Sequence, residues 1–145
     1  TTLTAALLFA DLRGFTALAD TAGMSLIARL DQHLEAMADP VAEQGGEIAL
    51  IEHCPHGPDD GCDCRKPLPG LFRRIAKHFS LRDLHGMPTV GDSRRDLEAG
   101  LELGATPFLV RTGKGLRTLQ KPLPPGTKVF DDLSAVANHL LETCP

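Results

Sequence analysis

A chain of 145 residues can bury one substantial core, and a single domain spanning residues 1–145 is the expectation. Its 42% hydrophobic and 23% charged residues are ordinary globular usage, and a net charge of −4 leaves no polyanion-binding footprint. Tyr and Trp are absent, no apolar run approaches membrane-spanning length, and residues 1–10 are too short and uncharged for a signal peptide, which argues against nucleic acid and membrane as partners.

The chain opens at Thr1 rather than Met, as expected of a trimmed or engineered N-terminus. Ala5-Ala-Leu-Leu-Phe-Ala10 is a continuous apolar run ending in Asp11, which suits a buried parallel strand with a carboxylate at its tip. Arg13-Gly14 turns the chain. Between residues 25 and 44 apolar residues fall at Leu26, Ile27, Leu30, Leu34, Met37 and Val41, a helical spacing that Asp39-Pro40 interrupts, either as a kink or as the start of a second short helix. Gly45-Gly46 ends the helix, and residues 47–51 read as a second strand.

That strand runs into Cys54-Pro-His-Gly-Pro-Asp-Asp-Gly-Cys-Asp-Cys-Arg-Lys66. Cys54, His56, Cys62 and Cys64 supply three thiolates and an imidazole, enough for a closed tetrahedral zinc site with no position left for a substrate. Pro55, Gly57, Pro58 and Gly61 let the loop fold back on one ion. The rival readings are incidental cysteines in a turn-rich loop, or a disulfide. A bridge fits poorly, because the C-x-C spacing strains it and three local cysteines leave one unpaired. Cysteines committed to a metal, with Cys144 alone near the end, point to the reducing cytoplasm. A closed site of this kind shapes a loop, and the residues it would hold in place are Arg65 and Lys66.

Beyond Pro67 and Pro69, a helix is expected with Leu71, Phe72, Ile75, Ala76 and Phe79 on one face. Residues 87–90 form a third strand ending in Gly91-Asp92-Ser93. Ser93 is a good N-cap, Asp96 follows three residues on as a near capping box, and Leu97 and Leu101 are buried positions. Gly104 ends that helix. Residues 108–110 make a fourth strand, followed by Thr112-Gly-Lys-Gly115, and residues 128–130 a fifth. Asp131 or Asp132 caps a last helix carrying Leu133, Val136, Leu140 and Leu141. Strands alternating with helices argue for an α/β domain with a mainly parallel sheet.

Ligands of such sheets bind beyond the carboxyl ends of the strands. Asp11, Asp92 and Lys66 converge there if the strand assignments hold. Two acids and an ammonium suit magnesium-assisted phosphoryl transfer: one carboxylate attacks phosphorus, another holds the hard cation, and Lys66 neutralises the transferring group. Each residue taken singly has a plainer role, as an N-cap or a solvated charge.

The stretch from Cys54 to Gly70, then Val90-Gly-Asp-Ser-Arg-Arg-Asp-Leu97 and Leu109-Val-Arg-Thr-Gly-Lys-Gly115, resembles the second half of the heptose 1,7-bisphosphate 7-phosphatases. These belong to the histidinol-phosphatase branch of the haloacid dehalogenase-like (HAD) superfamily. The resemblance covers residues 52–145. It implies a three-layer, Rossmann-like sheet with helices on both faces and an inserted zinc loop. It also implies zinc on Cys54, His56, Cys62 and Cys64, sugar or phosphate contacts from Arg65 and Lys66, magnesium on Asp92, and a supporting role for Asp96; Asp11, which precedes that stretch, is the candidate nucleophile and second magnesium ligand. Residues 5–51, through Leu8-Phe-Ala-Asp-Leu-Arg-Gly-Phe-Thr16 and the run from Leu30 to Ile48, instead resemble the opening of a class III adenylate/guanylate cyclase domain, so the chain reads as a chimera, natural or engineered; the competing reading is that the helix is the phosphatase's own, diverged. The phosphatase family opens with a strand ending Asp-x-Asp-Gly, whose first Asp is the nucleophile and whose second is the acid/base. Here Arg13 stands in the second place.

Three functions stay open at this point. One is a magnesium-dependent phosphatase acting, as a monomer, on a small phosphorylated sugar of the heptose bisphosphate kind, impaired by the missing acid. Another is a zinc-binding α/β domain without turnover. The third is a nucleotide cyclase fragment.

Overall fold

The computed structural model describes residues 7–8, 42–43 and 45–143. Asp11, Arg13, Cys144 and nearly all of the expected first helix lie outside them. The chain divides into two compact units, one of residues 1–10 with 63–145 and one of residues 11–62.

The first unit is built on a four-stranded, wholly parallel sheet of β1 (Leu7–Leu8), β2 (Pro88–Gly91), β3 (Thr106–Val110) and β4 (Lys128–Phe130) in sequential order. Leu8 pairs with Val90, Gly91 with Leu109 and Val110 with Phe130. Among the described residues four helices accompany it: α1 (Gly70–His78), α2 (Arg94–Leu101), the short α3 (Gly115–Thr118) and α4 (Leu133–Thr143). Side chains alternate across a sheet, and two cores result. Phe72 and Ala76 of α1 and Ala99 of α2 pack with Leu84 and Ala105 on one face. Val90, Phe108, Val110 and Phe130 meet Val136 and Leu140 of α4 on the other. The result is a parallel sheet layered between helices, the α/β arrangement that the alternation of elements implied.

Local chemistry explains the boundaries. Asp132 Oδ1 accepts the Ala135 N–H at 2.8 Å, so Asp132 rather than Asp131 caps α4. Helix α2 lies close to β2 because Gly100 has no side chain: a Cβ there would sit 2.5 Å from Thr89 Cγ2. The expected burial of Leu101 fails, and three other apolar residues of the expected helices stand exposed. Phe79 is 46% exposed because α1 ends at His78 and Ser80 turns the chain away with φ +54°. Leu133 and Leu141 of α4 are 44% and 65% exposed, leaving Val136 and Leu140 to anchor it. Leu101 is only half-buried, since α2 ends there.

In the second unit, residues 42–43 are helical. Gly45 then takes φ +79° and returns its N–H to Ala42 O at 2.9 Å, the stop expected at Gly45-Gly46. Residues 47–51 form no strand, contrary to the sequence expectation. An apolar run becomes a strand only with a ladder partner, and the four-stranded sheet does not include it.

Candidate active site and metal centre

The loop from Cys54 to Cys64 brings its four predicted ligands together. One donor atom from each of Cys54, His56, Cys62 and Cys64 lies within 4.8 Å of the others. Eleven residues of continuous chain carry them, so the cluster is a local product of the turns. Gly57 donates its N–H to Asp60 Oδ2 at 2.6 Å, and Gly61 adopts φ +67°. Cys54 Sγ is 3.7 Å from Cys62 Sγ and 3.7 Å from His56 Nδ1. Tetrahedral zinc with bonds of about 2.3 Å to sulfur demands an edge of about 3.8 Å between thiolates, whereas a disulfide demands about 2.05 Å. The three thiols are unbridged. The donor set and its spacing fit a closed zinc site.

Arg65 and Lys66 follow directly, on a short loop that closes on itself. Leu68 N–H reaches Arg65 O at 3.0 Å, and Gly70 N–H reaches Asp63 O at 2.9 Å as α1 begins. A Cβ at Gly70 would lie 2.5 Å from that same Asp63 oxygen, so only glycine lets the loop shut. Lys66 Nζ then donates to Asp96 Oδ1 at 2.5 Å. The pair is mostly withdrawn from water, with the two side chains 20% and 8% exposed. Asp96 Oδ2 accepts from Ser93 N–H at 3.1 Å and Ser93 Oγ at 2.6 Å. The capping acid of α2 is thus also the anchor of the lysine.

Asp92 sits between, in the turn that leaves β2. Its Oδ2 accepts the Lys114 N–H at 2.8 Å, and its carbonyl accepts the Thr118 hydroxyl at 2.8 Å. The approach of the Lys114 amide depends on Gly113, which has φ +61° and no side chain where a Cβ would collide with Asp92 Oδ2. One oxygen held by an amide leaves the other for a cation. A lone hard carboxylate suits magnesium, which keeps several waters and takes one or two protein carboxylates.

Lys66 thus meets Asp96 at the start of α2, and Asp92 stands in the turn between β2 and that helix. Asp11 falls outside the described residues. Lys114 and Thr118 carry no role in the sequence reading; the glycines either side of Lys114 were the available signal of a close backbone approach.

The profile of HAD-hydrolase-like proteins matches residues 63–136. The D-glycero-beta-D-manno-heptose-1,7-bisphosphate 7-phosphatase of Pseudomonas aeruginosa is 60% identical over 113 residues, covering 75% of this chain and 63% of the relative. Its namesake from Bordetella bronchiseptica is 50% identical over 121 residues, 83% of this chain and 67% of the relative. A crystal structure of D,D-heptose 1,7-bisphosphate phosphatase from B. bronchiseptica, complexed with magnesium and phosphate, matches with a TM-score of 0.76 at 52% identity, over 79% of this chain and 64% of that one. The D,D-heptose 1,7-bisphosphate phosphatase from Burkholderia thailandensis matches with a TM-score of 0.63 at 37% identity, over 81% of this chain and 65% of that one. The chain spans less than two thirds of the length of the Pseudomonas relative. Likeness to the Bordetella relative covers more of the chain than residues 52–145 contain. It therefore reaches back into the cyclase-like stretch, and the expectation of a chimera finds no support. The chain belongs to the HAD-hydrolase-like family, beside the heptose bisphosphate phosphatases.

Proposed function

We propose that this chain forms the catalytic part of a magnesium-dependent phosphatase acting on a sugar bisphosphate of the heptose 1,7-bisphosphate class. The observation that carries the reading is the meeting of Lys66 with Asp96 in the turn that also bears Asp92. The family and its relatives support it, since those proteins are named for release of the 7-phosphate.

In this reading Asp11, three residues beyond Leu8 of β1, attacks phosphorus and displaces the sugar oxygen, and water then hydrolyses the aspartyl phosphate. Magnesium supplies charge neutralisation when bound, held by Asp92 with Asp11. Lys66, oriented by Asp96, carries a second positive charge to the transferring group, and Arg65 recognises phosphate or sugar hydroxyls. Zinc on Cys54, His56, Cys62 and Cys64 is structural and keeps the loop before Arg65 in shape. Unbridged thiols support a reducing, cytoplasmic setting. Among the described residues no helix is long and apolar enough to cross a membrane.

With Arg13 where the family has its acid, protonation of the leaving oxygen and activation of water both lose their catalyst. Turnover is expected to be slower by about 10²–10⁴-fold than with that acid present. The test is release of phosphate from D-glycero-β-D-manno-heptose 1,7-bisphosphate with and without magnesium. Magnesium-dependent release that Asp92→Asn abolishes supports the assignment. Zinc-loaded, folded protein with no release at any magnesium concentration leaves a binding domain without turnover.

A further inference from the structure

Asp92 is tied down twice by one short segment of chain. Lys114 N–H holds its carboxylate at Oδ2, and Thr118 Oγ1 holds its carbonyl, each at 2.8 Å. The second tether has no obvious structural purpose within its own helix. A helical threonine ordinarily turns its hydroxyl back to the carbonyl four residues earlier, as Thr143 does to His139 O at 2.7 Å in this same chain. Thr118 instead reaches back 26 residues to the end of β2. The carbonyl it meets lies past the last ladder pair, Gly91 with Leu109, so the sheet makes no claim on it.

We propose that Thr118 is a positioning residue for the cation-binding carboxylate. Fixing the carbonyl sets the backbone of Asp92 and fixing Oδ2 sets its side chain. The remaining oxygen then points in one direction before any cation arrives. Such outer partners of a metal ligand typically govern about 10–100-fold in metal affinity. The inference rests on the reading of Asp92 as a cation ligand and extends it to a residue that touches neither cation nor substrate.

The experiment uses the whole zinc-loaded chain and the variants Thr118→Val, Thr118→Ser and Asp92→Asn. Mn2+ binding without substrate is followed by electron paramagnetic resonance, and folding by thermal melting. Valine keeps the shape and loses the hydroxyl; serine restores it. Thr118→Val is expected to weaken Mn2+ binding about tenfold with its melting transition kept, Thr118→Ser to bind as the parent does, and Asp92→Asn to lose binding. In turnover, half-saturation by magnesium should rise in Thr118→Val while KM for the sugar phosphate stays. Parent-like Mn2+ affinity in Thr118→Val, with Asp92→Asn still defective, overturns the role of Thr118 and leaves the cation site intact. Parent-like affinity in Asp92→Asn, or no Mn2+ binding by the parent, removes the reading of Asp92 and the role of Thr118 with it.

Discussion

Lys66 and Asp96, thirty residues apart, form an ion pair whose Nζ–Oδ1 distance is 2.5 Å and whose carboxylate is 8% exposed. Removing one partner of a withdrawn pair is costly chiefly because the other charge is left without compensation, on the order of 3 kcal/mol. Lys66→Met is therefore expected to lower unfolding stability by about that much. In Lys66→Met/Asp96→Asn the stranded carboxylate is gone, and the amide oxygen that replaces it can still accept from Ser93. The double variant should therefore be more stable than Lys66→Met alone. Urea unfolding of the single and double variants measures this. Strictly additive losses would show that the pair is not coupled.

The cysteine cluster makes a separate prediction, because ligand geometry and folding are linked at a closed zinc site. Purified without chelator, the protein should contain about one equivalent of zinc. Stripping it, or replacing the buried Cys64 by Ser, should lower the melting temperature and weaken substrate binding through Arg65. Restored zinc should reverse the first treatment and not the second. Elemental analysis showing far less than one equivalent would count against the loop as a metal centre.

Features set by neighbours in sequence were legible without coordinates. The Ser93–Asp96 cap, the glycine stop at Gly45, strands β2 to β4 and the clustering of Cys54, His56, Cys62 and Cys64 all follow from local spacing. What failed was whatever depends on distant chain. Residues 47–51 have a strand's composition and form no strand, because pairing is a property of two segments. Asp96 reads as a capping acid, and nothing in its neighbourhood announces Lys66. Thr118 carries no signal of its own in the sequence, because its partner stands 26 residues earlier.

The front of the chain carries the boldest expectation. If Arg13 occupies the acid's place, Arg13→Asp should raise the rate of phosphate release by about 10² or more, within the range that one acid/base contributes. Magnesium dependence should be unchanged, since Asp92 is untouched. A rate unaltered by the substitution would mean that another group protonates the leaving oxygen, or that residue 13 lies elsewhere.

Two glycines are confined by different physics, and alanine separates them. At Gly91 space is the limit: a Cβ would collide with Asp96 Cβ and lie 2.9 Å from Asp96 Oδ2. Gly91→Ala must therefore push away the residue that holds both Lys66 and Ser93, and overpacking of this kind costs about 1–3 kcal/mol. At Gly126 nothing lies within 4 Å, and the limit is φ +77°. Holding alanine there costs about 1 kcal/mol of backbone strain. Both variants should thus be less stable in urea, but only Gly91→Ala should also lower kcat for phosphate release. Equal activity in the two would mean that the position of Asp96 does not govern the reaction, and the pairing with Lys66 would then be a matter of stability alone.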